Sequence, residues 1–361
     1  MMTQQWVFIQ ALDVWMFRDS KPFSAGQSFF ARSMFPPQPG TMQGIVRSHY
    51  LERTGEDLRA YGRGEITDLP IGTPSSMGSL RITGPFVAKC ANGKPTRCVP
   101  MPLDVMGGER LLSPARQLNY ETNAPFDGWL PLAPEGESEL KKDTGQELWL
   151  DEASFAAYLK GDMEAVKPIK ASDLYQREER TGLALDHRRR AHKESHFYRA
   201  AFVRPCEDVG LLVGVNADVF AGETGFLSIG GEARSATYEA VQYALPEPKP
   251  QGRIKIVLLT PAWFGDGWRP TNGDWSPWVG KDAKLVSMAL GKPLALSGWD
   301  LARRQPKALR HFVPAGSVFF FENARLTGEP FTESPAGDLN YGAMGYGACA
   351  AGNWNYVEAT S

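Results

Sequence analysis

The sequence lacks the short motifs that mark the common enzyme classes. It has no Walker A loop, no GxSxG nucleophile elbow and no HExxH zinc motif. The run Gly345–Ala350 imitates a dinucleotide fingerprint, but too little chain follows it to complete a βαβ unit. We therefore expect this run to be a glycine-rich loop that crosses near a bound RNA or packs between domains.

Cysteine and long apolar runs are also scarce. The 361 residues include four cysteines, none in a CxxC pair, which argues against a thiolate zinc site and fits a reducing cytoplasm. The N-terminus has no basic region and reaches Asp13 early, unlike a signal peptide, and no apolar run is long enough to span a bilayer. We expect a cytoplasmic protein without membrane contact and without a cofactor.

Neither sign of charge is in large excess. The 39 basic and 41 acidic residues give a formal net charge of -2, so any nucleic-acid-binding surface must cluster its cations. The 27 prolines and 37 glycines indicate many turns and a β-containing fold, and the length suggests about two domains. Extended stretches rich in aromatic and β-branched residues predict strands. These stretches are Trp6–Trp15, Leu80–Lys89, Leu183–Leu185, Phe197–Val203, Gly210–Val215, Ile254–Leu259 and Ser317–Phe321.

A basic segment, Asp186–Arg199, is the first candidate for RNA contact. It holds five Arg or Lys residues, two acids and three of the five histidines, and it lies between two strand-like runs, as the tip of a long hairpin would. Alone, such a segment is more often a solvated loop. Three consecutive arginines repel one another, however, and phosphates relieve that repulsion, while a tyrosine can stack a base. The candidate contacts are His187, Arg188, Arg189, Arg190, His192, Lys193 and Tyr198.

The histidines of this segment leave two other hypotheses open. His187, His192 and His196 would form a metal site only if the fold brought them together, and no ligand motif supplies a carboxylate or cysteine partner. One of them would instead serve as the general base of a metal-free ribonuclease. Geometry has to decide between these hypotheses and a plain RNA contact.

Two further stretches have weaker signals. Around the predicted strand–helix junction stand Arg18, Lys21, Arg32 and Arg47, and Thr41 is a plausible N-cap whose helix start would suit a phosphate. We expect this helix to end at Gly55. The turn Gly230-Gly231-Glu232-Ala233-Arg234 would let the backbone approach a partner closely, although a tight turn explains it equally well.

Four tryptophans crowd one region of the chain. Such a cluster either packs under a long loop or forms a subunit interface. The four are Trp263, Trp268, Trp275 and Trp278.

Several of these stretches together resemble the third subunits of the type III-B CRISPR effector, the Cmr complex, which are RAMP proteins of the Cas5-like group. The resemblance covers most of the chain and is most specific over residues 12–51 and 254–322; residues 55–165 match least. The matching blocks are ALDVWMFRDSKPFSAG, ARSMFPPQPGTMQGIVRSHYL, TGLALDHRRRAHKESHFYRAAFVR, LSIGGEARSATYE, RIKIVLLTPAWFGDGW, SGWDLARRQPKALRHFVPAGSVFFFE and the late GYG.

The resemblance implies an α+β fold of two ferredoxin-like (RRM-like) modules with large insertions, glycine-rich loops and a long β-hairpin. These modules would occupy residues 1–200, with an insertion at about 55–165, and 201–361. It also implies a non-catalytic subunit that binds the 5′ tag of the crRNA and contacts the Cas10-type large subunit and a backbone RAMP subunit. By matching position, Arg18, Lys21, Arg32, the helix from Thr41, the hairpin and the Gly230-Gly231 turn would lie near the RNA.

Two competing functions remain at this point. One is a RAMP endoribonuclease that processes CRISPR RNA, with a histidine of the basic segment as its base. The other is a scaffold that binds the large subunit and touches RNA little.

Overall fold

The computed structural model describes most of the chain. The described residues are 4–19, 30–116, 128–134, 147–186, 191–246, 249–300, 305–337 and 339–357, and the side chains of 183–186 and 191–198 lie outside the description. The α-helices are α1 (Pro39–Thr54), α2 (Leu58–Gly62), α3 (Glu152–Leu159), α4 (Ser276–Val279) and α5 (Tyr341–Met344). The strands are β1 (Gln5–Ala11), β2 (Phe30–Ala31), β3 (Ile82–Ala91), β4 (Lys94–Pro100), β5 (Val105–Met106), β6 (Arg110–Pro114), β7 (Leu132–Pro134), β8 (Leu148–Asp151), β9 (Ile169–Lys170), β10 (Tyr175–Asp186), β11 (Ala191–Pro205), β12 (Val209–Val215), β13 (Thr224–Ser228), β14 (Ser235–Val241), β15 (Gln251–Leu258), β16 (Lys284–Ala289), β17 (Leu294–Leu296), β18 (Trp299–Asp300), β19 (Gln305–Pro306), β20 (Arg310–Phe312), β21 (Val318–Arg325) and β22 (Cys349–Asn353).

The fold is mixed α/β, with mostly antiparallel sheets and few helices. It divides into two compact units that are interleaved along the chain. Unit 1 comprises Met1–Pro95, Ser172–Gln242 and Ala295–Arg310, and unit 2 comprises Thr96–Ala171, Tyr243–Leu294 and His311–Ser361. The expected module boundary between residues 200 and 201 falls within β11.

Unit 1 is built on antiparallel strands in the order β13-β14-β1-β12-β3. Helix α1 contacts β3 and β13 and buries one side of its surface, including Met42, Val46 and Leu51. Its end is fixed by Gly55, which has a φ of 72° and donates its N–H to the Glu52 carbonyl, as the sequence predicts for a helix stop. A separate sheet, β10-β11-β2, stands in the same unit.

Unit 2 has its main sheet in the order β16-β21-β15-β22. The four tryptophans, for which packing and a subunit interface were both left open, lie in this unit, and Trp275 and Trp278 belong to its hydrophobic core. Trp275 and Trp278 are 8% and 5% exposed, and Trp275 stacks on Phe331 with ring centroids 5.4 Å apart. Trp268 is half-buried and meets Trp129 edge to face at 5.1 Å. These contacts support the packing hypothesis for the tryptophan cluster.

Candidate nucleic-acid interface

The long hairpin expected from the basic segment is present in the backbone. Strands β10 and β11 pair antiparallel from Tyr175 opposite Pro205 to Asp186 opposite Ala191. The hairpin is therefore longer than the sequence indicated, since the strands include much of the segment assigned to its tip. The tip candidates His187, Arg188, Arg189 and Arg190 lie outside the described residues, as do the side chains of His192, Lys193, His196 and Tyr198.

The chain between β1 and α1, here called the first loop, is described at residues 13–19 and 30–35, and these residues lie against the base of the hairpin. Strand β2 pairs in parallel with β11, with Phe30 beside Arg199, and Trp15 bridges to Val203. Beneath them is a small apolar cluster of Val14, Met16, Ala31, Ala200 and Phe202. Because a shared cluster fixes both segments, two stretches that are far apart in sequence form one surface.

The glycine turn joins the same surface. The N–H of Gly231 donates to the Met16 carbonyl at 2.7 Å, and Gly230 has a φ of 75°. A Cβ at Gly230 would lie 2.5 Å from the Met16 oxygen, so only glycine fits this close approach. The turn thus brings Arg234 to the start of the first loop. We call the described ranges 13–19, 30–35, 175–182, 199–204 and 230–234 the hairpin-base surface.

Ion pairs link the three segments of the hairpin-base surface. Asp13, at the end of the first strand region, lies 2.9 Å from Arg204, 3.2 Å from Arg180 and 3.6 Å from Arg234. Glu178 lies 2.6 Å from Arg180 and 2.7 Å from Arg204. Each carboxylate thus bridges at least two arginines, which fixes the relative positions of the loop, the hairpin and the turn.

The electrostatics of this network follow from those contacts. The hydrogen bond from Arg180 lowers the pKa of Asp13, with a further lowering contribution from Arg204, and the same two arginines lower the pKa of Glu178. Both carboxylates therefore stay ionised at neutral pH. Arg180 and Arg234 also lie over the ring of Phe202, with guanidinium carbons 5.0 Å and 4.8 Å from its centroid.

The hairpin-base surface carries a net positive charge. Its described ranges hold seven arginines and five acids, a balance of +2. Arg18 and Arg32 are exposed on it, and the Arg32 guanidinium lies 5.8 Å from the Phe30 ring centroid. Guanidinium groups bind phosphate oxygens in a bidentate geometry, so such a surface is suited to a polyanion. Of the candidates predicted from the sequence, the structure brings Arg18, Arg32, Gly230, Gly231 and Arg234 together, while Lys21 lies outside the described residues.

Thr41 does not have the position predicted for it. The helix begins three residues earlier, at Pro39 with Gln38 as its N-cap, and no side chain caps it. Proline favours the first helical position because its φ is preset and it has no N–H to satisfy. The N–H of Thr41 donates to the Gln38 carbonyl at 2.9 Å, so it is not a free donor for a phosphate.

Arg47 has a structural role that removes it from the proposed interface. Its side chain is buried, with the residue 6% exposed, and its guanidinium donates to the carbonyls of Ile71 at 3.0 Å and Ser76 at 2.7 Å. Burial lowers the pKa of this guanidinium from its usual value. Arg47 therefore holds the loop at 71–77 against α1.

We expect Arg47→Met to lower the free energy of unfolding by about 1–3 kcal/mol, because the buried Ile71 carbonyl and the partly buried Ser76 carbonyl lose a charged donor. RNA affinity of the folded variant should stay at the wild-type value. Urea unfolding measures the stability and filter binding measures the RNA affinity. Arg59→Met, on the exposed side of α2, is the control for both measurements. A fall in RNA affinity without a loss of stability would instead support the prediction that Arg47 contacts RNA.

The structure describes no side chain of His187, His192 or His196, so the metal hypothesis lies outside the described residues. Within the parts of the chain that it describes, no group of three or more His, Cys, Asp or Glu side chains is arranged to hold a metal ion. In the same parts, no helix has the length and apolar character needed to cross a bilayer.

Sequence reasoning missed the ion-pair network. Glu178 and Arg180 lie together on β10, whereas Asp13 follows β1 and Arg204 lies on β11, and no local pattern brings these three segments together. A usable signal was the alternation of charge in Arg177-Glu178-Glu179-Arg180, because residues two apart on a strand share a face.

Comparison with known proteins gives the family. A family model described as CRISPR-associated protein (Cas_Cmr3) matches residues 7–354, nearly the whole chain. The chain belongs to this Cas_Cmr3 family of CRISPR-associated proteins, in agreement with the resemblance of its sequence blocks. No curated protein matches the sequence.

Solved structures show the same fold. A chain in the cryo-EM structure of type III-B Cmr-beta bound to cognate target RNA is 18% identical, with a TM-score of 0.52, and the alignment covers 87% of this chain and 86% of that one. A second, from type III-B Cmr-beta bound to cognate target RNA and AMPPnP, is 17% identical with a TM-score of 0.50 and the same coverage.

Proposed function

We propose that this chain is a non-catalytic RNA-binding subunit of a type III-B CRISPR ribonucleoprotein of the Cmr type. It binds the 5′ tag of the crRNA and bridges a Cas10-type large subunit to the RAMP backbone. In this proposal the fold consists of two ferredoxin-like modules with insertions, at residues 1–200 and 201–361. Family membership and the fold shared with chains of type III-B Cmr-beta support the assignment to such a complex.

The observation that carries the RNA-binding part is the convergence of three segments. The first loop, the hairpin and the glycine turn are each weak signals in the sequence, yet they form one arginine-rich surface in unit 1. A surface of this kind would hold the phosphates of a single strand, while aromatic side chains stack its bases. Recognition of the target sequence would be left to base pairing with the guide.

A crosslinking experiment tests this proposal. The chain is assembled with guide RNA that carries 4-thiouridine at single positions of the 5′ tag, irradiated and digested, and the crosslinked peptides are mapped by mass spectrometry. We expect peptides from residues 13–35 and 175–204. Guide RNA with the label in the middle of the spacer is the control.

A second experiment tests the absence of catalysis. Repeat-containing RNA incubated with the chain without metal should be recovered intact. Cleavage that is lost in His187→Ala, His192→Ala or His196→Ala would overturn the non-catalytic part and support the endoribonuclease. Crosslinks confined to spacer positions would overturn the 5′-tag part.

A further inference from the structure

A short hairpin of unit 1 presents a tryptophan to solvent. Trp299 is 57% exposed, whereas the other nine tryptophans of the chain are buried or half-buried. A single exposed aliphatic side chain is ordinary on a protein surface, but a large exposed aromatic in a chain that buries its other indoles points to a binding role.

The hairpin holds this indole in a fixed place. Strands β18 and β19 pair Trp299 with Pro306 and Asp300 with Gln305. Directly opposed residues share a face and neighbours along a strand alternate, so Trp299 and Pro306 occupy one face and the Asp300 carboxylate belongs to the other. Below this pair, the N–H of Lys307 donates to the Gly298 carbonyl at 2.8 Å.

The hairpin lies beside the start of α1. The side-chain amide of Gln38 donates to the Ser297 carbonyl at 2.7 Å. Four residues before Gln38, the N–H of Met34 donates to the Phe17 carbonyl at 2.7 Å, within the hairpin-base surface. The hairpin that presents the indole is therefore linked to the hairpin-base surface through residues 34–38.

Charge indicates what the indole binds. Among the described residues of the hairpin and its flanks, 298–300 and 305–311, Lys307 and Arg310 are basic and Asp300 is acidic. Lys307 is exposed, and its side-chain Cδ lies 3.6 Å from the position a Cβ would take at Gly298, the residue before the tryptophan. Single-stranded nucleic acids are bound by this combination of aromatic platforms and nearby cations, whereas an apolar protein partner would gain little from the cations.

We propose that Trp299 is a stacking platform for an unpaired base of the guide RNA, with Lys307 at the adjoining phosphate. This inference rests on the proposed RNA-binding function and adds to it a contact outside the hairpin-base surface. The indole face binds any base, so the contact contributes affinity and position and carries little sequence preference.

Quantitative binding of guide RNA to the full chain tests the platform. Trp299→Ala should weaken binding about tenfold, and Trp299→Phe, which keeps an aromatic face, should stay within about threefold of wild type. Lys307→Ala should reduce the slope of log affinity against log salt concentration by about 0.7, while Trp299→Ala leaves that slope unchanged. Phe226→Ala, which removes a 70% exposed aromatic from β13, is the matched control and should bind like wild type.

The outcomes separate this inference from the proposed function. Wild-type affinity in Trp299→Ala, with a loss of affinity on charge reversal of Arg188–Arg190, would overturn the platform and leave the RNA-binding function standing. Unchanged RNA affinity with reduced recovery of the other Cmr subunits would also overturn it, by making Trp299 a protein contact. A wild-type chain that fails to bind guide RNA would remove the proposed function and the platform together. Circular dichroism and thermal melts confirm that each variant is folded.

Discussion

Replacing Lys255 by methionine should lower the free energy of unfolding by about 3–5 kcal/mol, because it leaves a buried carboxylate without its cation. Lys255 lies in β15, the strand between β21 and β22, and is 1% exposed, while Asp104 is 0% exposed. Their Nζ and Oδ2 atoms are 3.3 Å apart. Urea unfolding followed by circular dichroism measures the change.

The third member of this buried group is Tyr158. Its hydroxyl donates to the Asp104 carboxylate, with distances of 2.7 Å and 2.8 Å to the two oxygens, and the Lys255 Nζ lies 3.7 Å from its ring centroid. Burial, and next the Asp104 charge, raise the pKa of Tyr158 well above its usual range, so the hydroxyl keeps its proton and its bond. The triad joins the loop after β4, helix α3 and the main sheet of unit 2.

The double variant Lys255→Met with Asp104→Asn should recover part of the loss. It removes both charges, and asparagine still accepts the Tyr158 hydrogen bond. Lys284→Met, at an exposed lysine of β16, is the matched control and should stay within about 0.5 kcal/mol of wild type. Equal effects of Lys255→Met and Lys284→Met would contradict the assignment of a buried ion pair.

Local sequence patterns predicted the strands well. The run Gly210–Val215 corresponds to β12, Ile254–Leu259 to β15 and Ser317–Phe321 to β21, because continuous apolar stretches bounded by turn residues are typical of buried strands. The helix stop at Gly55 was also predicted correctly. The start at Thr41 was wrong, because the proline at position 39 already supplies a preset φ and the chain turns helical there.

Contacts between distant residues were not predictable from these patterns. Asp104 and Lys255 are 151 residues apart, and Arg47 meets a loop 24 to 29 residues away. Local sequence patterns predict that a lysine within an apolar strand and an arginine on a helix face the solvent. Their burial depends on partners that only the tertiary fold brings within hydrogen-bond distance.

At the candidate interface, too, local patterns identified individual residues but did not reveal the contacts between distant ones. Sequence placed Arg18, Arg32 and Arg234 among the candidates because glycine, proline and arginine mark turns and anion contacts locally. It did not reveal that Asp13 and Glu178 hold three of the surface arginines in place. Trp299 was overlooked, although an aromatic residue within a basic stretch is itself a recognisable signal for single-stranded RNA.

Reversing the charge of Arg188, Arg189 and Arg190 to glutamate should weaken binding of guide RNA about 100-fold at low salt, because three phosphate contacts become repulsive. If the three arginines neutralise three phosphates of a single strand, the slope of log affinity against log salt concentration should fall by about 2. Filter binding across a salt series measures both quantities. Arginines that belong only to a solvated loop would leave the slope unchanged.

A matched control variant separates the effect of charge on the hairpin from the effect of the protein's net charge. Reversing Arg59, Lys94 and Lys281, which are all exposed and belong neither to the hairpin nor to the hairpin-base surface, changes the net charge by the same amount. This control should lose far less affinity than the hairpin variant, since binding depends on charge at the contact rather than on the net charge of -2. If both variants lose affinity equally, the hairpin has no special role in binding RNA. If neither loses affinity while assembly with the other Cmr subunits persists, the chain acts as a scaffold, and its arginine pairs with Asp13 and Glu178 serve the fold alone.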